Sequence, residues 1–209
     1  MNKQLKLNQP QDAKLHNIVD MGLDFSAMIR LFEKKSKEKL RARILGDIQN
    51  VFDAISEEHF RGIHSSLCIW GTNNIMLAER KKNGQIIKCA QPASYGQIAK
   101  TFDVVLKVTI YYCQLPDSEK SQLISKWLNA AVDTKMMAML KKCYPEDLRP
   151  WPTTIEQVNS PIYIAIQEVV RKFIHDKHGG SITPVQFDDV YWEALNRQGN
   201  TPGDWYATT

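Results

Sequence analysis

The chain has 209 residues, 43% of them hydrophobic and 24% charged, with a formal net charge of +4. This is the composition of an ordinary globular protein with a real core, and there is no low-complexity tract or internal repeat. No apolar run reaches the ~20 residues that span a bilayer, and the lysine-bearing start MNKQLKLNQPQDAKL lacks an apolar signal core, so the expected address is the cytoplasm, with no membrane partner.

Residues 1–12 are polar and expected to be flexible, ahead of a single helical domain over 13–209. A short helical pattern over 13–21 turns Leu15, Ile18 and Val19 inward, and Gly22 breaks it. A second short helix, capped by Asp24 or Ser26, carries Met28, Ile29 and Phe32. Leu40, Ile44, Ile48, Val51 and Ile55 then recur at three-to-four spacing, an amphipathic stripe. Ser56 followed by Glu57 and Glu58 marks a fresh helix start, because a serine caps the first amides and acids favour that end of the dipole. This helix is expected to reach about Trp70, with a turn over 71–74. Residues 75–80 can be read as a continued helix, or the Asn83-Gly84 pair as the turn of a hairpin joining strands 75–79 and 85–89, which would have to lie on the helices to persist.

The longest apolar stretch is 94–113, SYGQIAKTFDVVLKVTIYYC. Ser94 and Gln97 form a capping-box pattern, and Ile98, Phe102, Val105, Thr109 and Tyr112 recur at helical spacing. Val104, Leu106, Val108 and Ile110 fill the other faces, so the helix is apolar nearly all round and belongs in the interior. The same four residues alternate at period two, which leaves a strand over 104–111 as the competing reading. Lys100 and Lys107 are expected to lay their stems along apolar surface with their heads in water.

Asp117 or Ser118 starts the next helix, with Leu123, Ile124, Trp127, Leu128 and Ala131 on its apolar side. Residues 134–143 continue with Met136, Met137, Met139 and Leu140, and PEDLRPWP over 145–152 is a loop. Ser160-Pro161 opens a helix carrying Ile162, Ile166, Val169, Val170 and Phe173, and Gly179 stops it. Thr183-Pro184 with Gln186 opens the last helix, whose inner face is Phe187, Val190, Tyr191 and Leu195. The last ten residues, with Trp205 and Tyr206, either pack on the body or meet a partner. The expected fold is mainly α, a compact bundle of about seven to nine helices with one small β-hairpin near 75–89.

Charge is unevenly spread. The run over 30–43, RLFEKKSKEKLRAR, concentrates Arg30, Lys34, Lys35, Lys37, Lys39, Arg41 and Arg43, while the stretch from 183 onward is acidic. The seven cations are candidates for neutralising phosphates of a nucleic acid, although Glu33 and Glu38 also allow plain helical ion pairs. In the acidic stretch, Asp188 and Asp189 beside Tyr191 and Trp192 are a candidate surface for a protein partner.

The eight residues from Arg171 to His178, RKFIHDKH, have an arginine, six residues and a histidine. This resembles the motif of the HEPN-type helical ribonucleases. The resemblance implies a metal-independent ribonuclease, usually dimeric, in which Arg171 stabilises phosphate and His178 performs acid–base work. The same cations are also those that a helix C-terminus favours.

No metal centre is expected. His175 and His178 lack a defined third ligand, and His59 and His64, five apart, point about 140° apart on a helix. There is no P-loop, GxGxxG, GxSxG or HExxH, and no cofactor is implied. Cys68, Cys89, Cys113 and Cys143 are widely spaced and expected to be reduced, partly buried small hydrophobes. Two functions follow. One is a non-enzymatic helical binding module contacting nucleic acid through the basic helix around 30–43; the other is a HEPN-like ribonuclease using Arg171 and His178.

Overall fold

The computed structural model describes residues 10–198, with the backbone alone described over 195–198. The side chain of Leu195, and Gly199, Trp205 and Tyr206, therefore lie outside the described residues, as do residues 1–9 of the segment expected to be flexible.

The described residues form eight α-helices: α1 (Pro10–Phe25), α2 (Ser36–Phe52), α3 (Glu57–Asn74), α4 (Tyr95–Leu106), α5 (Ser118–Ser125), α6 (Thr134–Cys143), α7 (Ser160–His178) and α8 (Pro184–Gln198). Two 3₁₀ segments, Ala27–Leu31 and Ile155–Gln157, a π-helical segment, Lys107–Tyr112, and four short strands are the other elements among the described residues. The architecture is the mainly α bundle with a small hairpin that the sequence predicts.

Helix α4 is the centre. It packs against α1, α3 and α7, and all its residues except Lys100 and Val104 are buried. Its start is the expected capping box: Gln97 N–H donates to Ser94 Oγ at 3.3 Å, and Ser94 N–H donates to Gln97 Oε1 at 2.9 Å. From Lys107 to Tyr112 the helix widens into a π-helical turn. The alternation over 104–111 thus belongs to a helix surrounded by other helices, where every face needs an apolar side chain, and not to a strand.

The water-facing position expected for Lys107 is wrong. Its side chain is buried and its Nζ lies 2.6 Å from Asp188 Oδ2 and 2.5 Å from Asp189 Oδ1, both on α8. Burial disfavours the ammonium, but the two carboxylates outweigh it and hold Lys107 above the ordinary lysine range. Burial likewise pushes the Asp188 carboxyl up against the pull of Lys107.

Helix α3 runs unbroken through the turn expected over 71–74. Gly71 serves helix packing: a Cβ there would stand 2.3 Å from Cγ2 of the buried Ile98 on α4. The Asn83-Gly84 turn does form, with φ of 52° and 78° at its two residues, as a two-residue hairpin turn of the primed type requires. Its strands are β2 (Arg80–Lys82) and β3 (Gln85–Lys88), while β1 (Met76–Leu77) pairs separately with β4 (Gln91–Pro92). The expected 75–79 strand is therefore split. Its first part roots the ribbon to the body, and the hairpin proper begins at Arg80.

At α7 the cap is Asn159, whose side chain accepts from Ile162 N–H, one residue before the expected Ser160. Gly179 closes the helix in the left-handed region, at φ 58°.

Candidate nucleic-acid interface and polar pocket

The basic run divides by environment. Along α2, Lys37 Nζ lies 2.5 Å from Asp24 Oδ1, Arg41 Nε donates to both oxygens of Asp20 at 2.8 and 3.0 Å, and Arg43 pairs with Asp47 at 2.6 Å and lies over the Trp70 ring. Lys37 and Arg41 thereby fasten α2 to α1, and Arg43 fastens it to α3. Arg30, Lys34 and Lys35 precede the helix and are exposed, as is Lys39, whose Nζ reaches Asn74 O at 3.3 Å.

The exposed group does not stand alone. The backbone of residues 31–33 pairs with β1: Ala78 N–H donates to Leu31 O at 2.9 Å, Glu33 N–H donates to Met76 O at 2.9 Å, and Phe32 bridges Leu77. This pairing fixes Arg30, Lys34 and Lys35 at the root of the β2–β3 ribbon. Strand β2 is Arg80-Lys81-Lys82, all exposed, and β3 carries Ile86 and Ile87, both more than half exposed. Adjacent strand residues point to opposite faces, so both faces of the ribbon meet solvent. Lys88 is held by Glu156, and Lys81 lies 3.1 Å from Glu79. The hairpin's three cations are absent from the sequence-based site, because nothing in the order of residues places 80–82 beside 30–35.

A second feature lies between α3 and α7. His64 Nε2 is 2.9 Å from Asp103 Oδ1, and the Tyr163 hydroxyl donates to Asp103 Oδ2 at 2.8 Å; all three are buried. The His64 and Tyr163 rings stack at 5.6 Å. Burial works against the imidazolium, but the Cys68 sulfur and the Asp103 carboxylate favour it, and His64 is held well above the ordinary imidazole value. Burial, reinforced by Asp103, pushes the Tyr163 phenol up, and burial beside Cys68 pushes Tyr95 up to about 12.

Cys68 Sγ is 3.7 Å from His64 Nδ1 and 3.9 Å from Nε2. Two nearly equal distances put the sulfur beside the ring and not in line with either nitrogen, and Cys68 is fully buried. A nucleophile activated by imidazole needs an in-line hydrogen bond and access to substrate, so this pair lacks the geometry for thiol catalysis.

Above this network is a cavity of about 100 Å³ whose rim carries Arg61 and Arg171. Arg61 Nη2 lies 2.6 Å from Glu57 Oε1 and 3.3 Å from Glu168 Oε1. Arg171 contacts Asn129 Oδ1 at 3.3 Å, Glu57 at 3.5 Å and Glu168 at 3.7 Å. Burial, with Arg61 adding repulsion, lowers the pKa of Arg171.

Of the residues proposed from sequence, Arg171 faces this cavity and His178 does not line it. His178 lies two turns further along α7, with its ring 6.3 Å from Phe173 and 6.2 Å from Phe187. His175 is exposed and 3.2 Å from Asp176. Among the described residues no group of three histidines, cysteines or carboxylates is placed to hold a metal. Asp188 and Tyr191 are buried, and Asp189 pairs with Lys107 and accepts from the Tyr112 hydroxyl, so of the four residues of the acidic and aromatic patch Trp192, 41% exposed, is the one that is exposed and outside these pairings. Cys68 is buried and Cys113 half-buried, whereas Cys89 and Cys143 are exposed, contrary to the expectation of burial.

The grouping of His64, Asp103 and Tyr163 does not emerge from the sequence. The available signal is a lone acid, Asp103, inside the most apolar helix, where an unpaired carboxylate is too costly to persist. No described helix is long and apolar enough to cross a membrane. No protein-family model matches the chain, and neither a curated protein nor a solved structure matches it.

Proposed function

We propose that the protein is a non-enzymatic helical module that binds nucleic acid through a basic surface made of the 30–39 segment and the β2–β3 ribbon. The observation that carries this reading is the backbone pairing of residues 31–33 with β1, which joins two basic groups distant in sequence. The surface combines Arg30, Lys34, Lys35, Lys39, Arg80, Lys81 and Lys82 with the carboxylates Glu33, Glu38 and Glu79. Each cation that meets a phosphate releases condensed counterions, which supplies affinity without sequence information. A two-stranded ribbon also has the width to enter the major groove of a DNA duplex, with Ile86 and Ile87 available for apolar contact.

The test is a titration of labelled duplex DNA and single-stranded RNA at low and moderate salt, after which the RNA is run on a denaturing gel. The module reading expects affinity that falls steeply with salt and leaves RNA intact. No binding to either probe at low salt overturns it. The alternative is a HEPN-like metal-independent ribonuclease using Arg171 and His178, although His178 does not line the cavity that Arg171 faces. It expects RNA cleavage without metal that is abolished by Arg171→Ala in a folded protein.

A further inference from the structure

The guanidinium of Arg171 is mostly buried, with 23% of its side chain exposed, yet its polar contacts at 3.3, 3.5 and 3.7 Å are all long. A charge-assisted N–H···O⁻ bond ordinarily closes to about 2.7–2.9 Å. The cost of removing this cation from water is therefore offset by no short partner, while a cavity opens beside it. Three of the other polar groups there are already engaged. Gln167 accepts from Ala130 N–H and donates to Ala130 O, Tyr163 donates to Asp103, and one His64 nitrogen is on Asp103 with the sulfur of Cys68 beside the ring. Arg61 and Arg171 are the cations on this lining, beside the polar side chains of Ser65 and Asn129 and against walls of Tyr95, Tyr163 and Ile164.

We infer that this cavity binds a small oxyanion, a phosphate or the carboxylate of a compact organic acid, gripped between Arg61 and Arg171. The two carboxylates now nearest the arginines, Glu57 and Glu168, are 43% and 54% exposed. They swing into water at little cost when the anion arrives, because ion pairs this exposed contribute little. A cavity of about 100 Å³ suits a small ligand. The site is separate from the basic surface and does not depend on nucleic-acid binding.

Calorimetry and thermal shift with inorganic phosphate, acetate and neutral acetamide test it. Phosphate or acetate is expected to bind in the millimolar range or tighter and to raise Tm, and acetamide to do neither; the preferred anion identifies the ligand class. Arg171→Gln is expected to weaken the anion about tenfold or more, with unchanged affinity for duplex DNA. If Arg171→Gln does not fold, Arg61→Gln, a change on the exposed rim, gives the same reading. Failure of both anions to saturate at millimolar concentration overturns the inference, as does equal affinity in the folded arginine variants.

Discussion

His64 Nε2 lies 2.9 Å from Asp103 Oδ1, and this one contact ties α3 to α4 at the centre of the bundle. Tyr163 closes the other side of the carboxylate from α7. Three helices thus share one buried carboxylate, with each of its oxygens accepting a hydrogen bond. The partners are 39 and 60 residues from Asp103 in the chain.

The pair has a predictable pH signature. The folded pKa of His64 is raised above 6.5, so the stability it contributes is fully present below that value and is lost as pH rises through the folded value. Urea unfolding across a pH series is expected to show stability falling on the alkaline side of 6.5. Asp103→Asn is expected to weaken that dependence, lower the His64 pKa measured by NMR, and destabilise the protein by about 3 kcal/mol, as removal of one partner of a buried pair does.

Lys107 and Asp188 are a second buried pair, linking the π-turn to α8. Lys107→Met leaves Asp188 buried without its counter-charge and is expected to cost about 3–5 kcal/mol. The double change Lys107→Met with Asp188→Leu is expected to recover most of that loss, since an apolar pair of similar size removes the desolvation cost. Because the folded pKa of Lys107 is raised, its contribution is complete below the ordinary lysine value of 10.5 and disappears as pH rises through the folded one. Guanidinium unfolding of the three proteins at neutral and strongly alkaline pH checks both statements.

Gly71→Ala tests the reading of Gly71 as a packing residue. The added methyl carbon would meet Ile98 at 2.3 Å, so α3 and α4 must separate or Ile98 must leave its place. The expected loss is about 1–3 kcal/mol in denaturant midpoint analysis, as for an overpacked core. Pairing the change with Ile98→Val is expected to return part of it; no recovery would mean that the clash with Ile98 is not the cause.

The cations of the basic run are expected to separate into two classes. Changing Lys34, Lys35, Arg80 or Lys82 to Gln should flatten the salt dependence of duplex DNA binding, by up to about 0.9 in log–log slope for each phosphate that is no longer neutralised. Changing Lys37 or Arg41 to Gln should leave that slope nearly unchanged, because their partners Asp24 and Asp20 already hold them against α1. Equal effects in the two classes would contradict the division.

Local chemistry is legible in the order of residues. Ser94 and Gln97 announce the start of α4, Asn83-Gly84 the hairpin turn, Gly179 the end of α7, and the apolar spacing the helices and most of the core, although Ile55, Tyr112, Leu123 and Val190, read as inward, are exposed. These features depend on groups a few residues apart, whose geometry the backbone sets almost alone. What only the tertiary structure decided is where polar groups find their partners. A helical lysine usually reaches water, and for Lys107 two aspartates 81 and 82 positions later override that expectation. Lys37 and Arg41 look like the exposed cations beside them until α1 brings Asp24 and Asp20 against them. His64, Asp103 and Tyr163, and Arg61 with Arg171, belong to separate helices with no common spacing. Their meeting follows from how the apolar faces of α3, α4 and α7 pack, and a buried charge stays where that packing supplies its counterpart.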